Sequence, residues 1–203
     1  MRESPRTRRL RSDHKSLETL VSQSTIFEFT AHGSPPESYE VRFLGKGLQR
    51  PNPYQSPTDQ DIHKVRIRLG ASYPRVMPEM QWLTPFYHPN VSAAGMVCLG
   101  GYGTYWVPSL NLDELCEMLW DMIRYANFDI TSPYNRDAAD WAKDQRRGSF
   151  PLDRRSIRDK IAPAPMSPPL KSTIPEVLIL NGDEDIAEAQ PVEQDDSDVL
   201  FIE

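Results

Sequence analysis

Three successive runs between residues 24 and 70 alternate apolar and polar side chains with a period of two. Phe27 and Phe29 alternate with Ile26, Glu28 and Thr30. Tyr39, Val41 and Phe43 alternate with Glu40 and Arg42, and Val65, Ile67 and Leu69 with Lys64, Arg66 and Arg68. A period of two sends successive side chains to opposite faces of a strand, so each run has one buried and one wetted face. That pattern is typical of an antiparallel meander. Ser34-Pro35-Pro36 and the stretch from Pro51 to Pro57 supply the breaks, and a short fourth strand is expected near Met80–Leu83, between Pro78 and Pro85.

Helical periodicity flanks these runs. Leu10, Leu17, Leu20 and Val21 share one face of a 3.6-residue period and predict a helix over 5–22, its other face carrying Arg, Lys, Ser and Glu. A second helix is expected to start near Asn111, which has capping-box spacing to Glu114. Its stripe is Leu112, Leu115, Cys116, Leu119, Met122 and Ile123, so Cys116 reads as a small buried hydrophobe. A last helix is expected from about Asn135 to Arg146. Between the strands and the second helix, residues 84–108 are punctuated by Pro85, Pro89, Gly95, Gly100, Gly101, Gly103 and Pro108. A loop of about 25 residues inside a compact domain is usually functional, and this one holds Cys98.

Composition bounds the classes. The 203 residues are 38% apolar with 19 prolines, enough for one domain with chain to spare. No apolar run approaches the roughly 18 residues of a membrane span, so no membrane partner is expected. The Arg-rich start lacks the apolar core of a secretory signal. Two cysteines are too few for a disulfide scaffold, which makes a reducing, cytoplasmic setting the default. The net charge of −6 gives no case for a nucleic-acid partner. The charge is unevenly spread. Residues 172–203 hold ten acids and no Lys or Arg, whereas the first fifteen hold six bases (Arg2, Arg6, Arg8, Arg9, Arg11, Lys15) and two acids. A solvated surface accounts for both ends as readily as docking does. The Pro-rich composition after Phe150 predicts a domain over 1–150 and a largely disordered acidic tail over 151–203. In that tail, Val177–Leu180 and Val199–Ile202 are β-prone islands beside acids, able to add a strand to a partner's sheet edge, to pair back on the body, or to do neither.

The informative strings are Tyr73-Pro74, Thr84-Pro85-Phe86-Tyr87-His88-Pro89-Asn90-Val91, Gly95-Met96-Val97-Cys98-Leu99, Trp106-Val107-Pro108-Ser109-Leu110 and Pro133-Tyr134-Asn135-Arg136-Asp137-Ala138-Ala139. A cysteine stands eight residues after the Asn of His-Pro-Asn, and a Trp-x-Pro-x-Leu eight residues after that cysteine. In this order and spacing the chain, over roughly 5–147, resembles the ubiquitin-conjugating enzyme family. The resemblance implies an α+β fold: N-terminal helix, four-stranded antiparallel meander, active-site loop and C-terminal helices. It implies that Cys98 accepts a ubiquitin-like modifier from an activating enzyme as a thioester and passes it to an amine, usually a lysine, of a target protein, with or without a ligase. The residues suit that chemistry, since a thiol on a Gly-rich loop admits a bulky carbonyl partner and the thiolate is its reactive form. By the same resemblance, Asn90 supports the loop and the oxyanion, His88 and Pro89 shape the turn, and Arg6, Arg8, Arg9, Arg11 and Lys15 dock the activating enzyme. No metal or cofactor is implied on this chain, and ATP is used by the activating enzyme.

The chain departs from the family in three places. A Gly-rich segment, Leu99-Gly100-Gly101-Tyr102-Gly103, follows the cysteine and suggests a mobile rim. Ser132 stands where many members carry an acid that helps deprotonate the lysine, which leaves Asp129 as the nearest upstream candidate. The acidic tail replaces the usual C-terminal helices, and the divergence as a whole resembles bacterial members of the family. The competing reading is a non-catalytic, modifier-binding variant, though such variants normally lack the cysteine. A cysteine protease pairing Cys98 with His88 has no supporting signature, and the cysteines and histidines form no zinc-ligand pairs.

Overall fold

The structure, a computed structural model, describes residues 3–99, 106–146 and 149–161. The chain opens with helix α1 (Pro5–Gln23) and continues through strands β1 (Phe27–Gly33), β2 (Pro36–Gln49), β3 (Thr58–Arg68) and β4 (Glu79–Trp82) to helices α2 (Leu112–Ile123) and α3 (Arg136–Lys143). The sheet is an antiparallel meander in the order β1-β2-β3-β4. Sequence expectation and structure agree on every element. The main differences are that β2 and β3 begin earlier than the alternation suggests and that α3 stops three residues before Arg146.

Alternation becomes layering. Tyr39, Val41, Phe43, Val65 and Ile67 are fully buried, and α1 and α2 cover this face of the sheet. Trp120 of α2 stacks on Phe43, their ring centroids 6.4 Å apart. The opposite face carries charges paired across strands, Arg42 with Glu28 at 2.8 Å and Lys64 with Glu40 at 3.5 Å. The helix starts are set locally. The Ser4 side chain accepts the Thr7 N–H and Pro5 opens α1. The Asn111 N–H donates to Glu114 Oε2 at 2.7 Å, as capping-box spacing predicts.

The apolar stripe of α1 contains a carboxylate. Asp13 stands three residues from Leu10 and four from Leu17, and it is as buried as they are. Its Oδ2 accepts from Arg9 Nε at 2.8 Å and from the Tyr73 hydroxyl at 2.6 Å, and its Oδ1 from the Leu112 N–H at 3.3 Å. Arg9 also donates to Tyr73 Oη and to the carbonyls of Pro108 and Leu110. Burial, reinforced by Asp13, pushes the Tyr73 phenol pKa up. This triad joins α1 to the start of α2. It engages Arg9, one of the expected docking bases, from a partly buried position with 16% of its side chain exposed. Arg6 is engaged too, with Glu37 and the carbonyls of Leu69 and Gly70. Arg8, Arg11 and Lys15 remain exposed.

Ordered packing also runs past residue 150, where the sequence places the start of the tail. The Leu152 N–H donates to the Arg124 carbonyl at 2.7 Å, and the Trp120 indole donates to the Arg155 carbonyl at 2.9 Å. Ile157 joins the core. Arg158 bridges Asp113 and Glu117 of α2, each at 2.6 Å, and Gln23 of α1. Residues 149–161 form a strap over two helices, held by scattered contacts with no periodicity to betray it. The expected acidic tail and its two islands, like the Gly-rich segment 100–105, lie outside the described residues.

Among the described non-glycine residues, Tyr125 alone has a positive φ, 57°. It follows the C-cap of α2, a place glycine normally takes, and a bulky side chain there costs on the order of 1–2 kcal/mol.

Removing one member of a buried ion pair strands its partner, at about 3–5 kcal/mol. Asp13→Ala is therefore expected to lower unfolding free energy by that amount in urea titrations. Arg8→Ala, on the exposed face of the same helix, is expected to stay within about 0.5 kcal/mol.

Candidate active site

The eight-residue spacing from Asn90 to Cys98 is a backbone return. Gly95 N–H donates to the Ser92 carbonyl, Ser92 N–H to the Met96 carbonyl, and Val91 bridges Val97. Gly95 has φ +79°, and a Cβ there would lie 2.3 Å from the Trp82 carbonyl oxygen, so the turn requires glycine. The return brings the Cys98 N–H to the Asn90 carbonyl at 2.9 Å. Cys98 is partly exposed, whereas Cys116 is fully buried on α2. Burial pushes the Cys116 thiol well up, which leaves it inert as a nucleophile.

Asn90 is tied at both ends of its amide. Nδ2 donates to the Asp129 carbonyl at 2.8 Å, and Oδ1 accepts the Asp129 N–H at 2.7 Å. With 1% of its surface exposed, the side chain acts first as a strut between this turn and residues 127–131. His88 is wholly buried. Its Nδ1 accepts the Asn90 N–H at 3.1 Å, which leaves the proton on Nε2 to donate to the Asn127 carbonyl at 3.2 Å. Burial lowers its pKa to about 3. Both nitrogens hold backbone, so His88 shapes the turn and is no general base for Cys98. The Asn135 N–H closes the frame on the Pro89 carbonyl at 2.9 Å.

Asp129, the sequence candidate for amine activation, sits at the end of the Asn90 strut. Its Oδ1 accepts from the Thr131 hydroxyl at 2.6 Å and from the Thr131 N–H at 2.7 Å, and these bonds lower its pKa. Asp129 therefore stays ionised at neutral pH. A carboxylate in that state attracts and orients an ammonium but takes its proton weakly. Sequence reasoning missed three further supports. Tyr87 donates to Asp137 Oδ2 at 2.9 Å and accepts from Arg50 at 3.1 Å, which pins the turn to α3 and to the end of β2. Tyr125 donates its hydroxyl to the Tyr87 carbonyl. The Trp106 indole donates to the Pro74 carbonyl at 2.6 Å, which connects the two Pro-containing motifs. No local pattern marks these bonds, although the carboxylate in the leucine stripe of α1 was a visible sign of the Asp13 triad. Among the described residues, no three His, Cys, Asp or Glu side chains are grouped to hold a metal, and no helix is long and apolar enough to cross a membrane.

The family model for ubiquitin-conjugating enzymes matches residues 48–151, which is half of the chain and takes in the whole Asn90–Cys98–Asp129 frame. The chain belongs to the ubiquitin-conjugating enzyme family. It is 30% identical over 133 residues to ubiquitin-conjugating enzyme E2 13 of Saccharomyces cerevisiae, a match covering 65% of this chain and 82% of the relative. It is 27% identical over 94 residues to ubiquitin-conjugating enzyme E2 2 of Debaryomyces hansenii, covering 46% of this chain but only 55% of that protein. Against yeast relatives the chain thus spans between about half and four-fifths of their length. The solved structure of Saccharomyces cerevisiae Ubc12 superposes with a TM-score of 0.54 at 22% identity, covering 71% of this chain and 72% of that one, and shows the fold.

The two buried histidines give the family fold a pH signature. Burial lowers His63 to about 4 and His88 to about 3, against about 6.5 when unfolded. In between, the unfolded chain binds the extra protons. Stability is therefore full above pH 6.5 and falls as pH drops, by about 1.4 kcal/mol per unit for each histidine. NMR titration of the two imidazoles is expected to show both neutral at pH 5, with urea midpoints lower at pH 5 than at pH 7.

Proposed function

We propose that this chain is an active carrier enzyme that holds a ubiquitin-like modifier on Cys98 and delivers it to an amine. The observation that carries the reading is the partly exposed Cys98, tied through its own N–H to Asn90 and through the Asn90 side chain to Asp129. In loading, the Cys98 thiolate attacks the modifier's C-terminal carbonyl on the activating enzyme. A C–S bond forms to Cys98 and the activating enzyme's thiolate leaves. In discharge, an amine attacks the same carbonyl, the C–N bond forms, the C–S bond breaks, and the Cys98 thiolate departs. No cofactor takes part on this chain, and ATP is consumed upstream.

Asn90 holds the attack geometry, and because one Nδ2 N–H bonds the Asp129 carbonyl, the other is an uncharged donor that can face the oxyanion. Asp129 attracts and orients the incoming ammonium, whose proton passes to solvent before the neutral amine attacks. Arg8, Arg11 and Lys15 form the docking face for the activating enzyme. Arg6 and Arg9 support that face from beneath, through Glu37 and Asp13 respectively. Members of the family act with an activating enzyme, a ubiquitin-like modifier and ligases, and the same classes of partner are proposed here.

A loading assay with activating enzyme, ubiquitin and ATP, run on non-reducing gels, tests the reading. The wild type is expected to give a reductant-sensitive band heavier by one modifier. Cys98→Ala should lose the band and Cys116→Ala should keep it, and a band surviving in Cys98→Ala would refute the assignment. Asp129→Asn should load normally and discharge to free lysine about 10- to 100-fold more slowly. Reversing Arg8, Arg11 and Lys15 to Glu together should slow loading about tenfold, less so at high salt.

A further inference from the structure

A tyrosine in a left-handed conformation persists only where its surroundings over-determine it. The surroundings of Tyr125 lead directly to the active-site turn. Its ring, 1% exposed, stacks on Phe150 with centroids 4.9 Å apart and planes 14° apart. The ring also meets the His88 imidazole edge-on at 4.9 Å, and its hydroxyl donates to the Tyr87 carbonyl. Phe150 is anchored in turn, because two residues on the Leu152 N–H bonds the Arg124 carbonyl, next to Tyr125. From His88 the hydrogen bonds run to the Asn90 N–H and from the Asn90 carbonyl to the Cys98 N–H.

We infer that Tyr125 is a positioning residue for thioester transfer: clamped by Phe150 of the C-terminal strap, it sets the placement of the His88-Pro89-Asn90 turn and so of Cys98. A glycine at this helix end would suit the backbone but would offer neither the ring that seats His88 nor the hydroxyl that holds Tyr87. The strap therefore does more than close the fold. It supports a side chain that also contacts His88 in the catalytic turn. The role in transfer rests on the carrier reading above, while the positioning itself does not.

Two conservative variants of the full chain separate these layers. Tyr125→Phe removes only the hydroxyl, and Phe150→Leu replaces the stacked ring with an apolar side chain. Ile67→Val, a mild core change in β3 away from the path, serves as the stability control. Native-state amide exchange by NMR is the first readout. The Asn90 and Cys98 amides are expected to exchange faster in both variants and to stay at wild-type rates in Ile67→Val. The second readout is discharge of ubiquitin-loaded enzyme to free L-lysine. Its kcat is expected to fall about fivefold, with KM for lysine unchanged, as loss of one hydrogen bond allows. Wild-type exchange at Asn90 and Cys98 in both variants would overturn the inference, as would equal acceleration in Ile67→Val. A wild type that never loads would refute the carrier reading, and the exchange rates would still decide the positioning.

Discussion

The reciprocal pair between the Asn90 amide and the Asp129 main chain is the interaction around which the site is built. One neutral side chain, itself buried, satisfies a partly buried carbonyl and a partly buried N–H together. Its main chain meanwhile fixes Cys98. A carboxylate in place of Asn90 could not donate, and an aliphatic residue could do neither. An amide suits this place because it offers a donor and an acceptor without a charge to bury.

Around that pair the protein keeps its ionisable groups in separate roles. The histidine nearest the cysteine is buried and neutral, with both nitrogens bonded to backbone. The second cysteine is sealed in the core. The acid at the rim is held ionised by Thr131. The thiol is thus left without an adjacent base. Under the carrier role proposed above, that suits a thiol that would hold an acyl group until an amine arrives. The buried Arg9–Asp13–Tyr73 triad does the corresponding work at the other end of the molecule, locking the first helix to the start of the second.

Much of this was legible beforehand. Period-two alternation in Tyr39–Phe43 and Val65–Leu69 reports burial on one face, a local consequence of strand geometry, and the structure buries those residues. The capping-box spacing at Asn111 and the stripe through Cys116 worked for the same reason. The spacing of Asn90, Cys98 and Trp106 carried the family resemblance, and the family model matches the chain over that stretch. The expectations that needed revision were the long-range ones. Arg9 looked like any other base on a polar helix face, because nothing near it in sequence reveals Tyr73 or the carbonyls of Pro108 and Leu110. Residues 151–161 looked like tail, because their contacts are scattered bonds to residues far away in sequence.

The sequence by itself determined the element order, the faces to be buried and the family resemblance, since periodicity and motif spacing are local properties of the chain. Only the tertiary structure decided that Asn90 is a strut to Asp129, that His88 is a neutral spacer, that Arg6 and Arg9 of the basic helix are engaged within the protein, and that a strained tyrosine links the strap to the His88-Pro89-Asn90 turn. Each of these depends on hydrogen bonds or ring contacts between residues tens of positions apart, and such pairings arise only when the whole core closes.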